Sequence, residues 1–376
     1  METGKRINMK KILVFLLLLL PVTSQGAIKS LHSYGLKFLM PDTGQTTKYS
    51  TAFGDDSDYT AASNQPSYSN YLIGTASVTV DNNTGLMWVK DMAQASMNGT
   101  YNVANGIAAC TVTINTNKFA GFTDWRLPSE KELLSIVRLS GSSPFIDTTY
   151  FTTTSAPYWP STLIDTTWGW AVFFNNYTSG GMNLIAKATA EYIRCVRGGN
   201  TKTGTGPSNH DFSHRKNINT SWQGIQFSAG DDSNYQFVSS TPSYTIKNYV
   251  GVSSVTIDNN TGLMWIYNPS AADVGMSGVY SYENGITACE NLNYAGFTDW
   301  RMPNIKEFFS ITNSPLVTFD PAYFGPSRGN TYWKSNTTDN TTTSRAMVIF
   351  SDYAHEPTPV AKTSTGPIRC VRGGLK

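Results

Sequence analysis

Val78 and Val80 alternate with polar neighbours, turn residues fill Asp81–Gly85, and an apolar run resumes over Leu86–Val89. Alternation, turn and renewed apolar run together predict a β-hairpin. In Tyr101–Cys110, the apolar residues Val103, Ile107, Ala108 and Cys110 fall at the spacing of one helical face. A second helix is announced by its own start signal. Ser129 stands three residues before Glu132, so hydroxyl and carboxylate can each take a free amide of the first turn. Leu133, Leu134, Ile136 and Val137 then supply its buried side. Ala171–Phe174 and Tyr192–Arg197 return to β character. The pattern predicts an α+β unit, two helices against a mostly antiparallel sheet.

The same pattern occurs twice. Ser77–Trp88 recurs as Ser254–Trp265, Ala120–Arg126 as Ala295–Arg301, and Ile193–Gly199 as Ile368–Gly374. Upstream, Gly54-Asp55-Asp56-Ser57 is echoed by Gly230-Asp231-Asp232-Ser233. The offsets are 258 − 81 = 177, 296 − 121 = 175, 369 − 194 = 175 and 230 − 54 = 176. An almost constant offset of this length marks a duplicated domain, and each copy is expected to fold alone. The helix start recurs as Asn304 and Glu307. Ile286, Ala288 and Cys289 repeat the cysteine helix. The division expected is a signal over 1–27, a first copy over 28–199, a linker over 200–218 and a second copy over 219–376. The linker reading rests on its Thr, Gly, Asn and Ser content.

The N-terminus adds a destination. Lys10 and Lys11 precede the apolar run Ile12–Leu20, then Pro21 and small residues up to Ala27. That order is the one an export signal has, and the run is short for a membrane span. A protein secreted to the periplasm, the exterior or the cell surface is expected, without membrane insertion once the signal is cut. Charged residues make up only 14% and the net charge is +2, so composition offers nucleic acid no general attraction. Cys110 and Cys195 match Cys289 and Cys370 in position. Of three possible connectivities, the duplication favours Cys110–Cys195 and Cys289–Cys370 as structural bridges in an oxidising compartment.

The order Asp-x-x-Thr-Gly-Leu-Met-Trp, a cysteine helix, Gly-Phe-Thr-Asp-Trp-Arg-Leu-Pro, Tyr158-Trp159-Pro160-Ser161-Thr162 and Arg-Cys-Val-Arg-Gly-Gly resembles the Lcl C-terminal domain family. The resemblance spans about Leu36 to Gly199 and again about Ile218 to Gly374. It implies two tandem C-type-lectin-like domains and extracellular binding or adhesion, with a sulfated glycan or a surface protein as partner. The second copy departs from it at Arg301-Met302-Pro303 and at Lys334 and Asn336. No collagen-like tract is present, nor the Glu-Pro-Asn or Gln-Pro-Asp calcium tripeptides of sugar-binding lectins.

Candidate chemistry narrows from there. The histidines are His32, His210, His214 and His355, and none recurs between copies. A histidine-based triad is therefore not expected, and neither is a metal or cofactor. Asp55, Asp56, Asp58, Asp231 and Asp232 could offer oxygens to calcium, but read better as turn residues. Asp124-Trp125-Arg126 could hold a charged pair at a functional rim, or place Trp125 in the core while the ions fix the loop.

The copies differ most along one distal strand. The first reads Trp168-Gly169-Trp170 and on to Asn175-Asn176-Tyr177, the second Ser344-Arg345 and on to Asp352-Tyr353. Flat rings beside amide or acid groups suit stacking on sugars and binding their hydroxyls. The candidate ligand residues are Trp168, Trp170, Asn175, Asn176, Tyr177, Arg345, Asp352 and Tyr353. A non-enzymatic binding protein is the expectation. The alternatives are a relative of formylglycine-generating enzymes and a structural subunit of a surface assembly.

Overall fold

The computed structural model describes residues 43–45, 47–59, 65–138, 143–175, 181–198, 242–249, 251–312, 319–325, 331–333, 344–350 and 357–373. The expected signal, the expected linker and all four histidines lie outside these residues.

The first copy opens with β1 (Tyr68–Ile73), β2 (Ala76–Asp81) and β3 (Met87–Val89). β2 and β3 are antiparallel, with Val78 opposite Val89 and Val80 opposite Met87, as the alternation predicts. Their turn is built from side chains. Asp81 Oδ1 accepts the amides of Asn83 at 2.9 Å and Thr84 at 3.3 Å, and Gly85 takes φ +75°, where a Cβ would be strained. After the helices come β4 (Pro157–Tyr158), β5 (Trp168–Phe173), β6 (Met182–Ala186) and β7 (Val196–Arg197). β7 returns to pair with β3, giving the order β1-β2-β3-β7, while β4-β5-β6 form a second small sheet.

The second copy repeats this plan. β8 (Tyr244–Tyr249), β9 (Val252–Asp258), β10 (Met264–Ile266) and the later β14 (Val371–Arg372) make the four-stranded sheet. β11 (Thr331–Trp333), β12 (Arg345–Phe350) and β13 (Pro357–Ala361) make the three-stranded one. Every pairing between these strands is antiparallel. The α+β expectation holds.

The helices are short and sharply capped. In the first copy the cysteine helix, Val103–Ala108, runs on through a wider turn at Ala109–Thr113. Its counterpart is Tyr282–Glu290. The box helices are Glu130–Ser135 and Ile305–Ser310, and both carry the reciprocal cap at Ser129/Glu132 and Asn304/Glu307. The first ends sooner than the apolar run suggests, yet Ile136 and Val137 beyond it are still buried. The disulfides are Cys110–Cys195 and Cys289–Cys370, with Cα atoms 5.3 and 5.5 Å apart.

Two features depart from a pair of independent domains. Each copy has a cluster of its own behind the cysteine helix, but a third cluster draws on both. Trp88, Leu133, Trp170 and Val196 share it with Trp265, Phe308, Phe309 and Val371. Burying a large apolar side chain is worth about 1.5–3 kcal/mol. Exposing only three or four on separation would therefore consume much of a domain's ~5–15 kcal/mol. The two copies therefore share a core as well as having their own, and their described residues lie in one compact unit.

The seam is reciprocal. Lys131 Nζ donates to the carbonyls of Ser310 and Thr312, each at 3.1 Å, and Lys306 Nζ donates to the Ser135 carbonyl at 2.9 Å. Lys131 and Lys306 occupy matching positions (306 − 131 = 175) and are only 4% and 7% exposed. Each ammonium thus caps the last turn of the other copy's box helix, where the helix dipole favours positive charge.

The second departure is the N-terminal segment 43–59. Its sequence lies before the first copy, but its contacts are on the second. Glu283 accepts the Ser50 hydroxyl at 2.5 Å, Tyr59 donates to Glu290 at 2.5 Å, and Tyr282 donates to Asp55 at 3.2 Å. Lys362 Nζ donates to the Tyr49 carbonyl. Gly54 has φ +120°, and a Cβ there would lie 2.5 Å from Ile286 Cγ2. The lead-in is a strap across the copies, which a repeat read along the chain does not reveal.

Candidate functional site

The residues that recur serve the fold. Trp125, Trp159 and Trp300 are buried. Arg126 grips Glu132 through two bonds of 2.5 and 2.6 Å, and Arg301 grips Glu307 at 2.7 and 2.6 Å. The glutamate that closes each capping box therefore also anchors the loop before its helix. Asp124 pairs with Arg197 rather than Arg126, at 2.6 and 3.0 Å, and Asp299 pairs with Arg372 at 2.7 and 2.9 Å. These guanidinium groups also lie over Phe122 and Phe297, 3.6 and 3.8 Å from the ring centroids. Of the two readings of Asp124-Trp125-Arg126 the structural one holds: Trp125 is core and the ions fix the loop, clamping it to its helix and to β7 or β14.

Arg194, the other arginine of the Arg-Cys-Val-Arg motif, is fully buried. It donates to the carbonyls of Val89, Lys90 and Thr152 at 2.6, 3.0 and 2.6 Å. Burial lowers its pKa from the ordinary arginine value. Arg369 binds the carbonyls of Ile266, Tyr267 and Phe324 in the same way. Five donors in a fixed fork suit the satisfaction of several buried carbonyls at once.

The acidic cluster of the strap also has structural partners. Asp56 accepts from Thr43, Asp55 from Gln45 at 2.7 Å and Ser57 at 2.8 Å, and Asp58 from the amides of Gly54 and Asp55 while pairing with Lys48. Burial is the largest cause raising the Asp55 pKa above the usual carboxylate value. Among the described residues no group of three metal-binding side chains is assembled. Asp231 and Asp232 lie outside the described residues.

The divergent strand behaves differently. Trp168 opens β5 and is 44% exposed. Its base is rigid. Asp165 Oδ1 accepts the amides of Thr167 and Trp168 at 2.6 and 2.7 Å, fixing the turn before the ring. Gly169, next in line, packs so closely that a Cβ would lie 2.9 Å from Leu163 and 3.1 Å from the Trp159 ring. Trp170 must be corrected: it is fully buried in the shared core and has no face to offer a sugar. The alternation of the strand sends Gly169 and both Trp side chains to defined sides, and this Trp side at position 170 is covered. Asn175 is exposed. Asn176, Tyr177, Asp352 and Tyr353 lie outside the described residues.

The strand register also re-aligns the copies. Trp168 pairs with Ala186, and Arg345 pairs with Ala361. The next amides confirm it: Lys187 donates to Thr167 and Lys362 to Ser344, both at 2.8 Å. Written side by side, the sequences set Trp168 against Ser344. In the fold its counterpart is Arg345, which is likewise exposed. One surface position thus carries a large aromatic ring in one copy and a guanidinium in the other.

Sequence reasoning missed the strap's placement and the crossed lysines. The lysines left a signal. In a chain with few charges, Lys131 and Lys306 recur at the repeat offset inside the first turn of a helix, where positive charge is locally unfavourable.

No helix among the described residues is long and apolar enough to cross a membrane. No curated protein matches the chain. The family model described as the Lcl C-terminal domain matches residues 77–197 and again 254–372. Both hairpin turns, both cysteine helices and both Arg-Cys-Val-Arg strands fall within these matches, and the chain belongs to the Lcl C-terminal domain family in two tandem copies.

Proposed function

We propose that this is an exported, non-enzymatic binding protein of C-type-lectin-like architecture, which recognises a glycan or another extracellular macromolecule. The observation that carries the reading is the pair Trp168 and Arg345. They occupy one exposed strand position in the two copies and present different chemistry. An exposed indole on a fixed base can stack on the apolar face of a sugar ring. An exposed guanidinium suits a sulfate or carboxylate group. The first site would then favour neutral sugar faces, and the second an acidic substituent. Two such sites in one body would reinforce each other on a polymeric ligand.

Support for a binding role over a cysteine-based enzyme comes from the disulfides. All four cysteines are buried and bridged. The N-terminal signal pattern and the bridges support secretion.

The test is a glycan array with a heparin column in parallel, using the mature protein, Trp168→Ala and Arg345→Ala. The reading predicts that Trp168→Ala weakens retention of neutral glycans, while Arg345→Ala weakens and flattens the salt-dependent binding of sulfated ones. Wild-type protein that binds nothing across salt and calcium conditions would remove the proposal.

A further inference from the structure

We propose that the side of the second cysteine helix covered by segment 43–59 is a peptide-binding site, and that its ligand is this segment of the chain itself. The contacts are of the kind a receptor makes with a peptide. Lys362 takes a main-chain carbonyl of the ligand at Tyr49, and its ammonium lies 4.7 Å from the centroid of Tyr282. Glu283 collects the Ser50 hydroxyl at 2.5 Å and the Thr51 hydroxyl at 3.4 Å. Tyr282 holds Asp55, Glu290 holds Tyr59, and Arg301 lies 5.4 Å from the Tyr59 ring centroid. Between these polar points Gly54 seats against Ile286 with no room for a side chain. Ala52 packs on the second copy's own apolar cluster.

The site is specific to one copy. Aligning Cys289 with Cys110 (289 − 110 = 179) sets Tyr282, Glu283 and Glu290 against Val103, Ala104 and Thr111. The first copy therefore has no carboxylate at either position and no phenol at the third. Ile286 against Ile107 and Lys362 against Lys187 are the parts retained. The ligand is specific too. At the repeat offset of 176, Ser50, Thr51 and Asp58 correspond to Gln226, Phe227 and Asn234. The second lead-in keeps the Gly-Asp-Asp-Ser letters but lacks the hydroxyls that Glu283 reads.

The partners described for the segment lie within itself and on the second copy. A site that holds a segment in this manner can hold the same segment from another molecule, the logic by which exchanged elements link copies of a chain. Tethering keeps the internal segment in place through its high effective concentration.

The experiment places a protease site between Tyr59 and Gln65 of the full chain, cuts it, and adds a fluorescent peptide of residues 43–59. The freed segment should stay with the body on gel filtration and exchange saturably with the labelled peptide. A Gly54→Ala peptide should bind weaker by about tenfold or more, and a peptide of residues 219–235 should not compete. In the uncut chain, Glu283→Ala should speed trypsin cleavage after Lys48 while the near-ultraviolet circular dichroism stays unchanged. Loss of the segment on cutting with no uptake of labelled peptide would overturn the proposal. So would collapse of the body on cutting, which would make the segment part of the fold instead of a ligand. Equal binding of the 219–235 peptide would overturn the specificity. None of these readouts depends on glycan binding.

Discussion

The two copies agree where a fold must agree and part where a surface can be spent on something else. Both spend an aspartate and a glycine on the hairpin turn, an Arg–Glu pair on the box helix, and an arginine on buried carbonyls. They part at the cysteine helix, where Tyr282, Glu283 and Glu290 stand opposite Val103, Ala104 and Thr111, and at the distal strand, where Arg345 stands opposite Trp168. Shared residues explain why there are two such folds. Divergent ones determine what each copy holds.

The largest expected effect tests the shared part. Replacing both cysteines of either bridge by alanine should cost about 4–5 kcal/mol by the chain-entropy model, since the closed loops are nearly equal, with sequence separations of 85 and 81. Denaturant titration of the two double variants should give similar losses. A loss confined to one copy would break the symmetry. Next come the crossed lysines. Lys131→Met or Lys306→Met leaves buried carbonyls without their donor, at a cost of about 1–3 kcal/mol each. Lys131 and Lys306 occupy matching places in the crossed seam, so the two losses should be of similar size. Chemical denaturation of both variants, and of the double variant, measures this.

The hairpins and capping boxes were legible in the sequence because their causes are local. A turn needs Asp and Gly within five residues, and a box needs an acceptor three residues before Glu. The disulfide pairing was legible from the duplication alone. What lay hidden is long-range. Ser50 meets Glu283 across 233 positions, and Lys131 meets Ser310 across 179. Ser50 has no periodicity to betray it, and the lysines show only their recurrence at the repeat offset. Of the candidate ligand residues, Trp168 and Arg345 emerged at one equivalent position, whereas Trp170 is core. Two tryptophans separated by a glycine look alike in the sequence, and only burial tells them apart: Trp170 joins the shared core while Trp168 is exposed.

Smaller effects sharpen the divergent part. Trp168→Ala and Arg345→Ala should each leave stability within about 0.5 kcal/mol, as exposed substitutions do, so that any loss of ligand binding can be read as recognition. Thermal melts alongside the glycan array check both halves. The smallest effect is a pH dependence. Burial raises the pKa of Asp81 and Asp258 above the ordinary carboxylate value, against the opposing pull of Lys306 on Asp81 and of Lys131 on Asp258. A carboxyl raised in the fold contributes stability below its unfolded value of about 3.9, and that contribution is lost as pH rises through the folded value. Asn at both positions keeps an acceptor for the turn, so the double variant should melt with a flatter pH profile as pH rises from about 3.9. An unchanged profile would show that these two acids are not what titrates.

The central claim is that two copies of one domain form a single folding unit, joined by a common core and crossed lysines. Amide hydrogen exchange under increasing denaturant tests it most directly, by following β2 and β3 of the first copy and β9 and β10 of the second in the same sample. The account predicts that the slowest amides of both hairpins converge on one opening free energy and one denaturant dependence. Two separate limits, with one copy opening fully while the other stays protected, would contradict it.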